Sequence, residues 1–415
     1  MPRAAKRFPR YLVPRLREAL RDTPAVLIHG PRQSGKTTLA CAVGEPRGYR
    51  YLSFDDDAIA AAARSDPIGF VSALPAKSIL DEVQRVPEIF TSLKTAIDRR
   101  RTPGRFMLTG SANVLFVPGL ADSLAGRMGL LRLHPLSRCE IEDRRPSFLN
   151  ALFRGRFGTG LADRLGDGLA ERIVAGGYPA AMARRTPARR RAWYRDYVET
   201  QIQRDVRDLT RIRSLDVLPR LLGLAASQTA RLINVADLAA PFEVTRQTIH
   251  EYVTVLERIF LLERLPPWHT NRLSRLVKRP KLHMGDTGVA CALLEADAAA
   301  LQTDRSLLGQ LLETFVLQEL RRQATWRSAT VEFYHFRDRD DFEVDLVLVQ
   351  GRTIAGVEVK AAATVGDADF RGLRKLQDAA GSAFAAGVVL YDGSATVRFG
   401  NGLFAVPVRR LWEPA

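Results

Sequence analysis

The sequence predicts an α/β protein: a parallel-sheet domain with helices on both faces, a largely helical middle region, and a second α/β unit toward the C-terminal end. Three observations predict it. Strand-length apolar runs alternate with helix-compatible stretches over residues 1–142. The first of these runs, PAVLIHG at 24–30, ends in a glycine and leads directly into a helix-compatible stretch. From about residue 305 the strand-length runs return, interrupted by one helical segment.

Taken in order, strands are expected at 24–30, 49–54, 77–81, 105–109 and 129–133, with helices between them, notably at 86–101 and 115–126. Residues 143–215 read as helical and rich in arginine. Fifteen Arg face eight acids between 151 and 220. Arg184, Arg185, Arg189, Arg190 and Arg191 gather around Pro187 and read either as a solvated helix face or as a track for phosphates. Residues 216–275 form a third segment with a helix-turn-helix pattern. Residues 276–415 form the last, with a helix at 307–324, strands at 331–336, 342–349, 353–359, 384–391 and 403–408, and a helix at 367–380. Internal repeats are absent.

At 415 residues the chain is long enough for roughly two to four domains, each with its own core. Its net charge is +16, which favours a polyanionic partner such as nucleic acid. Of the basic residues 54 are Arg and 8 are Lys, a bias that coding composition can also produce. No run reaches the ~18 apolar residues of a membrane helix. The start MPRAAKRFPR is basic but lacks the apolar core of a secretory signal. Cys41, Cys139 and Cys291 lie far apart and six histidines are scattered. That argues for a reducing compartment, the cytoplasm of a microbe, and against zinc.

Gly30-Pro-Arg-Gln-Ser-Gly-Lys36-Thr37 fits the phosphate-loop spacing G-x-x-x-x-G-K-[ST]. Two glycines let the backbone curl until its amides point at phosphate oxygens, and the following helix adds its positive end. Gly30, Pro31, Arg32, Gln33, Ser34, Gly35, Lys36, Thr37 and Thr38 are the expected nucleotide-binding residues. Lys36 is expected on the β- and γ-phosphates and Thr37 on Mg²⁺. The metal also needs a carboxylate and the attacking water needs orienting. Asp81 and Glu82, at the end of the run 78–81, supply these two roles. At the tip of the run 105–109, Ser111 is favoured over Thr109 as the group that senses the γ-phosphate or the water. Arg127 follows and is placed to reach a γ-phosphate, in a neighbouring subunit if it acts in trans.

The segments GPRQSGKTTLA, ILDEVQRVPEIF, FMLTGSAN, SLAGRMGLLRLHPLSRCE and GGYPAAM, continuing through YVETQIQRDVRDL and KLHMGDTGVACALL, resemble the prokaryotic AAA-type ATPases that carry a C-terminal DUF4143 domain. The resemblance covers most of the chain. It implies ATP, an AAA-like core in 1–142, and an oligomer, with a hexamer among the options.

Two further patterns concern the remaining segments. In 232–264, Val235, Leu238 and Ala239 share one helical face, and Ile249, Val253 and Leu256 share the next. This leaves Thr245, Arg246, Gln247 and His250 exposed where a recognition helix meets DNA, in the manner of a winged helix. In the last segment Glu313 on a helix, Asp345 in a strand, and Glu358 and Lys360 on one face of another strand could converge. Such a set can hold Mg²⁺ and steady a scissile phosphate. It resembles the PD-(D/E)xK nucleases, whose restriction-endonuclease-like fold it implies, although Val344 stands where that pattern has proline.

The expected function is an ATP-hydrolysing protein that binds or remodels DNA. An ATP-controlled, Mg²⁺-dependent nuclease and a nucleotide-dependent protein switch without DNA are the alternatives.

Overall fold

The computed structural model describes residues 8–111, 125–206, 217–242, 244–269 and 279–413. The chain divides into two compact units, one of Pro9–Leu136 with Arg258–Phe260, the other holding Ser137–Glu257 and Leu261–Ala415.

In the first unit, β1 (Ala25–His29), β2 (Arg50–Ser53), β3 (Ser78–Asp81), β4 (Phe106–Gly110) and β5 (Met128–Arg132) form a sheet in the order β2-β3-β4-β1-β5. Every pairing is parallel. The three inner strands are buried along their whole length, which is why they read as continuous apolar runs. The two edge strands carry exposed positions, Tyr51 on β2 and Leu130 on β5. On one face Leu27, Leu80 and Leu108 pack against Phe90, Leu93 and Ile97 of the helix Ile89–Arg99. Two connecting helices start on aspartate caps. Asp56 accepts from the amides of Ala58 and Ile59, and Asp66 from that of Gly69. The five expected strands all occur, with ends shifted by a residue or two. The expected helix at 115–126 falls largely outside the described residues.

The second unit begins with helices, among them the short Phe148–Arg154 and Asp167–Ala175 and the longer Pro187–Gln201, and with β6 (Gly160–Leu161). Next come the helix Val217–Ser227, β7 (Arg231–Leu232), the helices Val235–Ala239 and Arg246–Arg258, β8 (Leu262–Leu265) and β9 (Lys281–Met284). Their strands make an antiparallel sheet in the order β7-β9-β8. β9 lies beyond residue 275, where the sequence suggested a boundary, because its partners are β7 and β8.

The helix Arg305–Ala324 leads into β10 (Glu332–Arg337), β11 (Glu343–Gln350) and β12 (Thr353–Lys360), an antiparallel meander. The helix Arg371–Ala380 then crosses to β13 (Phe384–Tyr391), which is parallel to β12. β14 (Ala395–Gly400) and β15 (Leu403–Pro407) complete a seven-stranded sheet in the order β10-β11-β12-β13-β15-β14-β6. The crossing helix lies very close to the sheet. A Cβ on Gly372 would stand 1.9 Å from the Glu343 carbonyl oxygen, and one on Gly356 2.6 Å from Leu373 Cδ2.

A buried ionic network fixes the helical part of this unit. Arg322 donates to Asp286 (2.9 Å) and Glu319 (3.0 Å). Asp286 also accepts the amides of Gly177 and Gly288, both at 2.9 Å. Glu319 accepts the Arg138 amide at 3.0 Å. The GGYP and GDTG segments of the sequence therefore meet at one aspartate. Burial pushes Glu319 up to about 7, against the pull of Arg322 and Arg138.

Candidate nucleotide site and a second carboxylate centre

The loop after β1 turns through three left-handed residues, Gly30 (φ 147°), Gln33 (φ 59°) and Gly35 (φ 95°), before the helix Lys36–Gly44 begins. Gly30 has no alternative, since a Cβ there would stand 2.1 Å from the Leu133 carbonyl oxygen. A Cβ on Gly35 would have nothing within 4 Å, so this side of the loop is open. Lys36 is buried, and its ammonium donates to the carbonyls of Gly30 (3.1 Å) and Pro31 (2.9 Å). Arg10 braces the loop from outside, donating to the carbonyls of Ser34 (3.4 Å) and His134 (2.6 Å). His29, just before the loop, is drawn down to about 4 by burial and by Arg132 and Lys36, so it adds no charge at neutral pH.

The acidic partners stand at the same edge of the sheet. Thr37 Oγ1 donates to Asp81 at 2.9 and 3.1 Å. Asp81 also accepts from the Tyr51 hydroxyl at 2.9 Å and from Thr109. Glu82 holds a left-handed backbone (φ 56°), which costs a bulky residue about 1–3 kcal/mol. That turn aims its carboxylate at Ser111, whose hydroxyl donates at 2.8 Å. Gln84 donates to Glu82 and to Ser111 Oγ (3.1 Å). Thr109 and Ser111 thus divide the work: Thr109 holds Asp81, and Ser111 holds Glu82. Tyr51 and Gln84 complete the cluster without having been singled out for it in the sequence, and Thr109, the less favoured alternative to Ser111, joins it as well.

The donor set fits a nucleotide with its metal. It offers an open turn, a buried ammonium held by loop carbonyls, and a hydroxyl–carboxylate pair suited to a hard cation. Arg127 stands apart from it. Arg127 precedes Met128, which faces Ala25 across the β1–β5 pairing, so it lies at the strand-start edge while Gly30 lies at the strand-end edge. It pairs with Asp98 through Nε (2.6 Å) and a terminal nitrogen (2.9 Å).

In the second unit, Thr245, Arg246, Gln247 and His250 are all exposed, while Ile249, Val253 and Leu256 are buried beneath them. The Thr245 hydroxyl receives the Thr248 amide (3.1 Å) at the start of the helix Arg246–Arg258. Arg190 and Arg191 of the basic cluster line a cavity of about 320 Å³ with Thr186, Tyr194 and Cys291.

Glu313, Asp345, Glu358 and Lys360 come together in the C-terminal sheet, joined by Lys281 of β9 and by Glu343. Lys281 Nζ lies 2.6 Å from Glu343, 2.8 Å from Glu313 and 3.2 Å from Asp345. Lys360 pairs with Glu358 at 2.9 Å. Asp345 accepts the Val359 amide at 2.9 Å, and its own amide faces Glu358 at 3.4 Å. Burial, then the Asp345 charge, pushes Glu358 up to about 8 and Glu313 well above the usual carboxylate range. Burial pulls Lys281 down, but Asp345, Glu313 and Glu343 outweigh it and hold the ammonium charged. Lys281 carried no local sequence signal, since the spacing from it to its partners follows no helical or strand period.

Comparison with known proteins divides the chain into three matched stretches. Residues 22–142 match a family described as AAA domain, residues 166–300 a domain of unknown function (DUF8612), and residues 308–411 a domain of unknown function (DUF4143). The uncharacterized protein Rv2008c of Mycobacterium tuberculosis is 30% identical over 351 residues, covering 84% of this chain and 73% of that protein. Uncharacterized protein Mb2031c of Mycobacterium bovis matches to the same extent. Among solved structures, the Walker-type ATPase PABY2304 of Pyrococcus abyssi aligns at 16% identity with a TM-score of 0.44, covering 68% of this chain and 94% of that one. Among the described residues, no helix is long and apolar enough to cross a membrane.

Proposed function

The chain belongs to the AAA-type ATPases that carry a DUF4143 domain, and we propose that it hydrolyses ATP as a homo-oligomer in order to hold or remodel DNA. The observation that carries the ATPase half is the pairing of Thr37 with Asp81 beside a Glu82 carboxylate held by Ser111. In this reading the loop amides and the start of the helix Lys36–Gly44 receive the phosphates. Lys36 exchanges the carbonyls of Gly30 and Pro31 for β- and γ-phosphate oxygens. Thr37 and Asp81 would hold Mg²⁺, whose charge would offset that of the phosphates. Glu82 orients the attacking water and accepts its proton, while Ser111 and Gln84 fix the direction of its carboxylate. Arg127, remote from its own loop, serves the site of a neighbouring protomer.

The DNA half rests on three supports. The chain is basic by sixteen charges. The helix order and the β7-β9-β8 sheet support a winged-helix reading of this segment. The exposed Thr245, Arg246, Gln247 and His250 lie where such a module meets DNA. A second reading, an ATP-controlled nuclease, is favoured by the convergence of Glu313, Asp345, Glu358 and Lys360. Two measurements test the proposal: ATP turnover that vanishes in Lys36→Ala, and DNA binding whose log K falls with log salt. A chain that turns over no ATP, or that binds no DNA at low salt, refutes the corresponding half.

A further inference from the structure

The nuclease-like reading of the C-terminal sheet implies a divalent cation at Glu313, Asp345 and Glu358, and the side chains present do not fit one. The centre is already filled. Lys281 is 2% exposed, and its ammonium lies within 3.2 Å of Glu313, Glu343 and Asp345. Two of its N–H donors bond Glu313 and Asp345, and Glu343 adds an ion pair at 2.6 Å. Asp345 and Glu358 are engaged further: Asp345 takes the Val359 amide and Glu358 takes Lys360. Among the described residues, no group of three or more His, Cys, Asp and Glu is arranged to hold a metal. One buried ring shows what the filling displaces. His283 is fully buried, and its Nε2 has no hydrogen-bond partner although it lies 3.8 Å from Glu313. It would be a natural metal ligand or an anchor for a ligating carboxylate, and here it is neither.

We propose that Lys281 is the resident cation of this centre. The ammonium, delivered by β9 from the three-stranded sheet, stands where a nuclease-like fold takes its metal. The C-terminal sheet consequently serves as a platform and does not cut nucleic acid by metal-dependent chemistry. The same contact ties the helix-turn-helix segment to the C-terminal unit, through a hydrogen bond and an ion pair to Asp345 and Glu343 of β11 and a hydrogen bond to Glu313 of the helix Arg305–Ala324. This inference rests on the nuclease-like reading above and decides between that reading's active and inactive forms.

The test is Mn²⁺ uptake by the full, nucleotide-free chain, followed by the EPR signal of free Mn²⁺. Comparing each protein with its Glu313→Gln counterpart removes any contribution from the phosphate loop. Wild type and Glu313→Gln should take up equal amounts. Lys281→Met should gain about one equivalent, lost again in Lys281→Met/Glu313→Gln, since removing the ammonium frees carboxylates suited to a hard cation. Wild type should leave supercoiled DNA intact in Mg²⁺. Greater uptake by wild type than by Glu313→Gln, or nicking that Glu358→Gln abolishes, overturns the inference. So does a folded Lys281→Met that gains no Mn²⁺. If Lys281→Met fails to fold, the wild-type and Glu313→Gln pair decides alone, equal uptake supporting the assignment and unequal uptake overturning it. DNA retention is scored separately by fluorescence anisotropy, so its loss counts against the DNA reading and not against Lys281.

Discussion

Arg127 lies at the far edge of the sheet from the phosphate loop of its own chain, and this makes the proposed oligomer testable. β1 and β5 run parallel, with Ala25 opposite Met128 and His29 opposite Arg132. At roughly 3.3 Å per residue, about 20 Å of strand separates the level of Arg127 from that of Gly30. Its guanidinium is also held by Asp98, on the helix Ile89–Arg99. That pair is solvent-exposed, so Arg127→Ala should leave the melting curve close to that of the wild type. An arginine that completes a neighbour's site is worth about 10³–10⁵ in turnover. Arg127→Ala should therefore bind ATP and scarcely hydrolyse it. Lys36→Ala has the opposite defect, offering Arg127 while lacking a working loop. Mixed in equal amounts and reassembled, the two should recover about one quarter of the wild-type rate per chain, the fraction of interfaces that unite an intact loop with an intact Arg127. A mixture of folded variants that stays inactive refutes action in trans. Near-normal turnover by Arg127→Ala alone removes the residue from the mechanism.

Three further outcomes follow from the same geometry. Glu82→Gln should retain ATP binding and lose on the order of 10²–10⁴ in turnover, measured by nucleotide binding and phosphate release on one sample; loss of both together would assign Glu82 a structural part instead. Arg246→Ala should weaken DNA binding and flatten the plot of log K against log salt by about one unit if Arg246 contacts a phosphate, whereas an unchanged slope moves the interface elsewhere. Glu319 gives a pH signature. Its folded value is raised to about 7, so the charged form is the unfavourable one in the folded state, and stability declines as pH rises from the unfolded carboxylate value through about 7. Relative to Glu319→Gln, the wild type should lose on the order of 3 kcal/mol across that window, followed by thermal unfolding at several pH values. A difference that stays constant with pH contradicts the buried-charge account.

How much the sequence disclosed depends on how local each feature is. The phosphate loop is a contiguous run whose glycine spacing states its backbone conformation, so Lys36 and Thr37 could be picked out directly. Asp81 and Glu82 were legible because they end an apolar run in a parallel sheet. The inner strands were legible for the same reason: burial on both faces makes them uninterrupted apolar runs. What escaped depends on distant pairings. Tyr51 reaches Asp81 across the β2–β3 pairing, and Thr109, ranked second to Ser111 in the sequence, reaches it from the next strand, β4. β14 pairs with β6, more than 230 residues earlier, and its mixed, partly exposed composition resembles a loop. The sequence pattern put Glu313, Asp345, Glu358 and Lys360 together, but Lys281 reads as an ordinary basic residue at a strand start. Only the arrival of β9 at the C-terminal sheet gives it a role.

The central claim, that ATP hydrolysis here is coupled to DNA, is tested most directly by one measurement. ATP turnover by the purified chain is followed alone and with duplex, single-stranded and four-way-junction DNA, with Lys36→Ala as the blank. The account predicts turnover that Lys36→Ala abolishes and that at least one DNA form stimulates. Turnover indifferent to every DNA, together with no DNA binding at low salt, would contradict it and leave a nucleotide-dependent protein switch.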